Sequence, residues 1–248
     1  MLLQNVINIK EPSLFFDTML HAGTLIAVFV VLRKDIWAII KKPFQKLTLM
    51  LIIATIPAVI AALTFKDLIE NIFISARFLG WCFLITSVFL AAAEILSGRL
   101  KNTGGLKKAD NMNWIDALII GLMQAIAIPP GISRSGATIS GALFRKLDRD
   151  FAARFSFLMS IPAILGAVVL QTKNLIDSST SSDTVQSGVS FVSVAAGTIT
   201  AAAVGFFAVK LMLKIIREKS LWGFAAYTGA LGILVLFDQN VTHFVFNL

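Results

Sequence analysis

Charge is scarce in this chain. Only 15% of its residues are Asp, Glu, Lys or Arg, while 57% are hydrophobic, and the mean hydropathy is +0.83. A soluble domain of 248 residues is not built from such a composition, which belongs to a polytopic membrane protein. Cysteine is nearly absent. Cys82 stands alone inside an apolar run, so no disulfide forms within the chain, and lipid-facing surroundings do not suit a catalytic thiol. Histidine is limited to His21 and His243, and no His/Cys/Asp/Glu group has the spacing of metal ligands. The first residues have neither a charged n-region nor an apolar h-region, so no cleavable signal is expected. The net charge of +8 does not argue for nucleic acid, because the basic residues sit in short loops between apolar runs.

Those runs are what the sequence does have. Six are long enough to span a bilayer: Leu14–Leu32, Leu47–Phe65, Phe78–Leu96, Phe151–Leu170, Val189–Leu211 and Leu221–Phe237. Pro57 and Pro162 each fall within a span, where a kink packed by a neighbour is expected. The small residues of Ala195–Gly205 suit close helix packing. Lys and Arg alternate between sides without exception. Arg33, Lys34, Lys41, Lys42 and Lys46 follow the first span, and Arg99, Lys101, Lys107 and Lys108 follow the third. Arg145, Lys146, Arg149 and Arg154 precede or open the fourth, and Lys210, Lys214, Arg217 and Lys219 close the fifth. The opposite side has only Lys10, Lys66, Arg77 and Lys173. The basic loops are therefore expected in the cytoplasm and both termini outside. Trp37, Trp81, Trp114 and Trp222 fall near span ends, as interfacial anchors do. Ser178–Ser187 reads as a flexible external loop.

One apolar region is interrupted. Trp114–Ile128 and Ile132–Leu147 flank Pro129-Pro130-Gly131, and each half would make a helix of about 22–24 Å, short of a hydrocarbon core of about 30 Å. Residues 114–147 therefore read as a re-entrant hairpin that enters and leaves on one side. Its second half opens with Ser133-Arg134-Ser135-Gly136-Ala137-Thr138. The first turn of that helix has N–H groups without partners, and its dipole adds positive potential. Ser133, Ser135 and Thr138 add hydroxyl donors, Gly131 and Gly136 let a ligand approach the backbone, and Arg134 offers a planar charge for bidentate phosphate contact. An anion pocket inside a membrane is expected, since an intramembrane arginine is a functional candidate by default.

The order of elements also shows an incomplete inverted repeat within one membrane domain. Residues 114–248 hold the hairpin and three spans, and residues 1–113 hold three spans alone. The fold expected is thus an all-α polytopic membrane protein with six transmembrane helices and one re-entrant helix pair.

The nonapeptide Pro130-Gly131-Ile132-Ser133-Arg134-Ser135-Gly136-Ala137-Thr138 resembles the undecaprenyl-diphosphate phosphatase (bacitracin-resistance) family. Gly121 and Gln124 upstream, Phe155-Ser156-Phe157-Leu158 to Ile161-Pro162 downstream, and the segment from Phe16-Asp17 to Val28 extend the likeness over nearly all the chain. The resemblance implies an enzyme of the bacterial inner or plasma membrane that removes the terminal phosphate of a C55 polyprenyl diphosphate released in cell-wall synthesis. It implies Arg134, Ser133 and Ser135 as catalytic residues and Gly131, Gly136, Thr138 and Gln124 as substrate-binding residues. A divalent cation, Mg or Ca, would accompany the chemistry without being derivable from this chain. The partners implied are the polyprenyl diphosphate lipid and the membrane, with no nucleic acid; two copies could associate as a homodimer.

The family also carries a first hairpin with paired acids and a Ser-Ser-x-Gly-His segment, for which residues 1–13 have no counterpart. An incorrectly assigned start or a shortened gene is the expectation, with an inactive homologue as the alternative. A polyprenyl-phosphate transporter is the competing class, because broken helices in inverted repeats also serve transport. Asp17 and His21, four residues apart, could form an acid–base pair but read better as helix-end polarity. Glu94 is expected to pair with a loop lysine, and His243 in the tail means little.

Overall fold

The computed structural model describes residues 14–65, 68, 78–103, 106–179 and 191–242. Among these residues there are nine α-helices and no strand: α1 (Leu14–Val31), α2 (Arg33–Lys41), α3 (Lys46–Thr64), α4 (Leu79–Thr103), α5 (Trp114–Ile126), α6 (Arg134–Phe144), α7 (Arg149–Ser179), α8 (Phe191–Glu218) and α9 (Trp222–Phe237). A short 3-10 turn, Ala109–Asn111, precedes α5, and a π turn, Asp238–Thr242, follows α9. Lys46–Thr64, Leu79–Gly98, Val194–Glu218 and Trp222–Val241 are long and apolar enough to cross a bilayer. The protein is a multi-pass, all-α membrane protein. Trp37, Trp81, Trp114 and Trp222 are all exposed and lie at or near helix ends, as a belt at the membrane–water boundary requires.

Two departures from the sequence reading have plain causes. The basic segment after the first span is not all loop, since Arg33–Lys41 forms the amphipathic helix α2, with Ile36 buried and Lys41 lying over the Trp37 ring. Helices α4, α7 and α8 run past their apolar windows into charged residues, because a helix continues in water once its lipid-crossing part is formed. The expected loop Ser178–Ser187 lies outside the described residues after its first two positions, as does His243. So does the side chain of Asp17; His21 is exposed, and its carbonyl accepts the Thr24 hydroxyl at 2.8 Å.

The chain packs as two compact units. The first comprises Met1–Lys41 and Phe157–Leu213. In it α1 and α8 approach through small residues. A side chain at Gly205 would meet Ala27 and Thr24, and one at Gly23 would meet the Thr198 carbonyl. The glycines and alanines of Ala195–Gly205 thus serve the close packing their sequence suggests.

The second unit, Lys42–Ser156 and Lys214–Leu248, holds the hairpin. Helix α4 is its central post. Gly80, Leu84 and Ser87 meet α9 at Gly229, Gly232 and Leu236, and the Ser87 hydroxyl donates to the Ala225 carbonyl at 2.7 Å. Near the far end of α4, Glu94 accepts from Arg149 Nη2 at 2.6 Å and from the Leu221 N–H at 2.9 Å. Arg149 also donates to Ser97 Oγ and to the Lys219 carbonyl. The expected loop-lysine partner of Glu94 is therefore an arginine instead. A guanidinium has enough donors to bind three acceptors on different elements, which an ammonium's point charge does less specifically.

Helix α5 crosses α3 at Gly121, where a Cβ would run into the backbone of Ala54, itself fully buried. Even a methyl group there forces two helices apart. Gly121→Ala is expected to lose about 1–3 kcal/mol of stability, the usual cost of overpacking. Thermal unfolding in detergent measures it, and an unchanged midpoint would contradict this contact.

Candidate functional site

The hairpin is α5, a turn of residues 127–133, and α6. Both arms are shorter than the sequence suggested, α5 ending at Ile126 and α6 beginning at Arg134. The reason is capping. Ser133 has extended backbone, and its hydroxyl accepts the Gly136 N–H at 3.1 Å, so it is the N-cap and not a helical residue. At the other arm, Asn113 and Asp116 form a reciprocal capping box at the start of α5.

The turn is fixed from outside by α4. Thr86, fully buried, accepts the Ser133 backbone N–H at 3.0 Å and donates to the Cys82 carbonyl at 3.1 Å, with the Gly131 carbonyl at 3.4 Å. Gly131 has φ +93, and a Cβ would press on Cys82 Cβ, Leu79 Cδ1 and the Leu79 carbonyl. Gly136 is buried, and a Cβ on it would crowd Ser133 and Thr86. Both glycines are thus demanded by the protein's own packing, in addition to any access they give a ligand. Thr86 carried no signal in the sequence. A threonine in a membrane helix ordinarily bonds its own preceding turn, and this one does that as well.

Of the seven site candidates, five lie on the turn and the first turn of α6: Gly131, Ser133, Arg134, Ser135 and the buried Gly136. Ser133 is exposed, and Arg134 and Ser135 are half-buried. The N–H groups of Arg134 and Ser135 stand at the first two helical positions, where no acceptor exists within the helix. Ser133 Oγ already accepts a bond, which leaves its own hydrogen to donate. Arg134 has no carboxylate or other hydrogen-bond partner among the described residues. Arg145, Arg149, Arg154 and Arg217, by contrast, each pair with an acid.

The other two candidates are set further in. Thr138 is buried, and its hydroxyl is shared with the Arg134 carbonyl at 2.9 Å and Ser156 Oγ at 2.6 Å. That pairing pins α6 to the first turns of α7. Gln124 is buried on α5, and its Oε1 is an acceptor without a partner among the described residues.

The hairpin's open end is closed by charge. The Asp116 side chain is fully buried. It accepts Arg145 Nε at 2.7 Å, Lys107 Nζ at 3.1 Å and the Asn113 N–H at 2.9 Å. Lys107 is itself bonded through its backbone to the other arm, accepting from the Asp148 N–H at 3.0 Å and donating to the Lys146 carbonyl at 2.7 Å. Lys146 reverses the chain there with φ 67. Asp116 stands in the first turn of α5, next to its N-cap Asn113 at the mouth of the hairpin. Burial pushes its carboxyl up, but the Asn113 N–H, Arg145 and Lys107 outweigh burial and hold it below the usual carboxylate range.

No group of three or more His, Cys, Asp or Glu among the described residues could hold a metal ion. Around the turn the donors are hydroxyls, backbone N–H groups and a guanidinium, a set that fits an anion and does not fit a divalent cation held by side chains.

Among the described residues, a half-buried guanidinium without a counter-charge thus stands at a helix start whose first N–H groups have no acceptor within the helix, in a multi-pass membrane protein. The chain belongs to the bacitracin resistance protein BacA family, whose model matches residues 1–234. It is 46% identical over 236 residues to "Undecaprenyl-diphosphatase 3" of Bacillus cereus, an alignment covering 95% of this chain and 86% of that protein. It is 41% identical over 243 residues to the "Undecaprenyl-diphosphatase" of Carboxydothermus hydrogenoformans, covering 98% and 89%. The enzyme of that name from Alkaliphilus metalliredigens is 36% identical over 252 aligned positions, covering 94% and 87%.

Asp116→Asn would leave Lys107 and Arg145 without a countercharge at the hairpin's mouth. Because both cations are part-exposed, the expected loss is about 3 kcal/mol, at the lower end for breaking a buried ionic network. A depressed carboxyl contributes stability above its unfolded pKa and loses it as pH falls through the folded one. The gap in unfolding midpoint between wild type and Asp116→Asn should therefore persist down to the usual carboxylate range and close only below it.

Proposed function

We propose that the protein is an undecaprenyl-diphosphate phosphatase that releases the terminal phosphate of the C55 carrier lipid and so returns the monophosphate to cell-wall synthesis. The observation that carries the site assignment is the uncompensated Arg134. An isolated charge in apolar surroundings costs several kcal/mol, so its place is retained for a ligand that neutralises it. A diphosphate does so, and the planar fork of the guanidinium matches two of its oxygens.

In this reading Arg134 clamps the diphosphate. The N–H groups of Arg134 and Ser135 and the hydroxyls of Ser133 and Ser135 complete the cradle. The Gly136 N–H donating to Ser133 Oγ polarises that hydroxyl, which makes it a stronger donor to a phosphate oxygen. Thr138, Gly131 and Gly136 hold the cradle's shape, and Gln124 gives a buried acceptor behind it. Phosphoryl transfer is catalysed chiefly by positioning and by spreading the developing charge, and the hairpin contributes both.

Depth also belongs to the proposal. The turn sits against Leu79, Cys82 and Thr86, the first two turns of α4, within about 10 Å of that helix end. The basic loops lie beyond the opposite end of α4. With those loops in the cytoplasm, six spans cross the plasma membrane, both termini are external, and the hairpin enters from inside to present its turn near the outer surface.

Arg134→Ala is expected to lower phosphate release from undecaprenyl diphosphate in detergent by about 100- to 1,000-fold, the loss seen when one transition-state donor is removed. The unfolding midpoint should hardly move, because the side chain has no protein partner to lose. Arg134→Lys should recover part of the rate by charge alone. Undiminished release from Arg134→Ala would refute the assignment.

A further inference from the structure

Thr55 on α3, Thr198 on α8 and Thr228 on α9 each spend the hydroxyl on their own helix, donating to the Leu51, Val194 and Phe224 carbonyls at 2.8, 2.8 and 2.9 Å. Thr86 on α4 makes the same bond to Cys82, but another element uses its oxygen as well. That oxygen accepts the Ser133 N–H, 47 positions further along the chain, and lies 3.4 Å from the Gly131 carbonyl. Its methyl carbon, Cγ2, stands 3.4 Å from where a Cβ on Gly136 would be. One fully buried side chain thus meets the chain before, at and after the N-cap of α6.

We propose, on the footing of the diphosphate site argued above, that Thr86 is a positioning residue for that site. Its oxygen fixes the Ser133 backbone and, through it, the aim of the donors that follow. Ser133 is where extended backbone, with φ −69 and ψ 110, gives way to helix. Its hydroxyl and the N–H groups of Arg134 and Ser135 belong to consecutive residues, so a rotation of the Ser133 peptide re-aims them together. No second acceptor for the Ser133 N–H is present among the described residues, so the oxygen of Thr86 sets that rotation. Thr86 itself has no exposed surface and does not meet the ligand. It acts through Ser133.

The hydroxyl and the methyl of Thr86 have separate contacts, so positioning and packing can be told apart. Thr86→Val keeps the shape and removes the acceptor, whereas Thr86→Ser keeps the acceptor and removes the methyl. A side chain that only filled space would be spared by Val and harmed by Ser. One that positions through its oxygen gives the reverse order.

Two quantities are measured on the full chain in detergent, per folded molecule and well below the unfolding midpoint. One is affinity for a methylene-bridged C55 diphosphate, which resists hydrolysis; the other is phosphate release from undecaprenyl diphosphate. Thr86→Val is expected to weaken the analogue about tenfold and to slow release about 10- to 100-fold, since a misplacement of about 1 Å can cost about 100-fold. Thr86→Ser should recover both to within about threefold of wild type. Thr55→Val, which gives up only a bond within its own helix, should alter neither. A Thr86→Val protein that binds the analogue as wild type does would overturn the proposal. So would equal losses from Val and Ser, which would make Thr86 a packing residue. Should Thr86→Val fail to fold, Thr86→Cys takes its place, because sulfur is only a weak acceptor. It is expected to bind the analogue about tenfold more weakly than Thr86→Ser, and equality of those two would likewise overturn the proposal. Arg134→Ala tests the underlying site separately. If it leaves the analogue's affinity unchanged, the diphosphate reading fails; if it weakens the analogue and Thr86→Val does not, only the role of Thr86 fails.

Discussion

Irregular backbone in hydrocarbon has to find its hydrogen-bond partners in the protein, and the architecture of the second unit follows from that demand. Residues 127–133 find several of their partners within the protein. Thr86 takes the Ser133 N–H, the Ser133 hydroxyl takes the Gly136 N–H, and the Gly131 carbonyl faces the Thr86 hydroxyl. The two contacts with Thr86 require α4 to lie against the turn without a side chain between them, hence a glycine at 131 where any Cβ would strike Cys82 and Leu79. The N–H groups of Arg134 and Ser135 are left over from this accounting. Among the described residues they are joined by the guanidinium, the Ser133 hydroxyl hydrogen and the Ser135 hydroxyl as donors not consumed by holding the turn in place.

The charged residues divide accordingly. At the open end of the hairpin, Asp116 gathers Lys107 and Arg145, and one element away Glu94 gathers Arg149 and the start of α9. These networks fasten helix ends, where water lowers the cost of burying charge. At the turn a cation, Arg134, stands without an acid among the described residues. A carboxylate beside Arg134 would stabilise the empty fold but would compete with any phosphate for the same donors. On the proposed reading, the free enzyme tolerates an unfavourable charge that the diphosphate would relieve.

The sequence exposed the parts of this arrangement that depend on composition. Apolar runs located the long helices, Pro129-Pro130-Gly131 located the break, and Ser133-Arg134-Ser135 named the donors. It did not expose the parts that depend on partners from distant positions. Glu94 looked like a mate for a nearby lysine, yet it meets Arg149, because helices separated by 55 residues end side by side. Asp116 read as one polar residue at a helix start, and only the return of the chain at Lys146 brings Arg145 and Lys107 onto it. Thr138 had the look of a ligand donor within its motif, while its burial assigns the hydroxyl to Ser156. Motifs record which atoms are present; which of them remain unspent is a property of the packed structure.

That distinction bears on how the site would discriminate its substrate. In the proposed site the donors at the turn would recognise a diphosphate and nothing beyond it, so by themselves they would not tell a carrier lipid from a short soluble diphosphate. Preference for the lipid would then have to come from the membrane, which concentrates a lipid-anchored diphosphate at its surface and leaves a soluble one in bulk water.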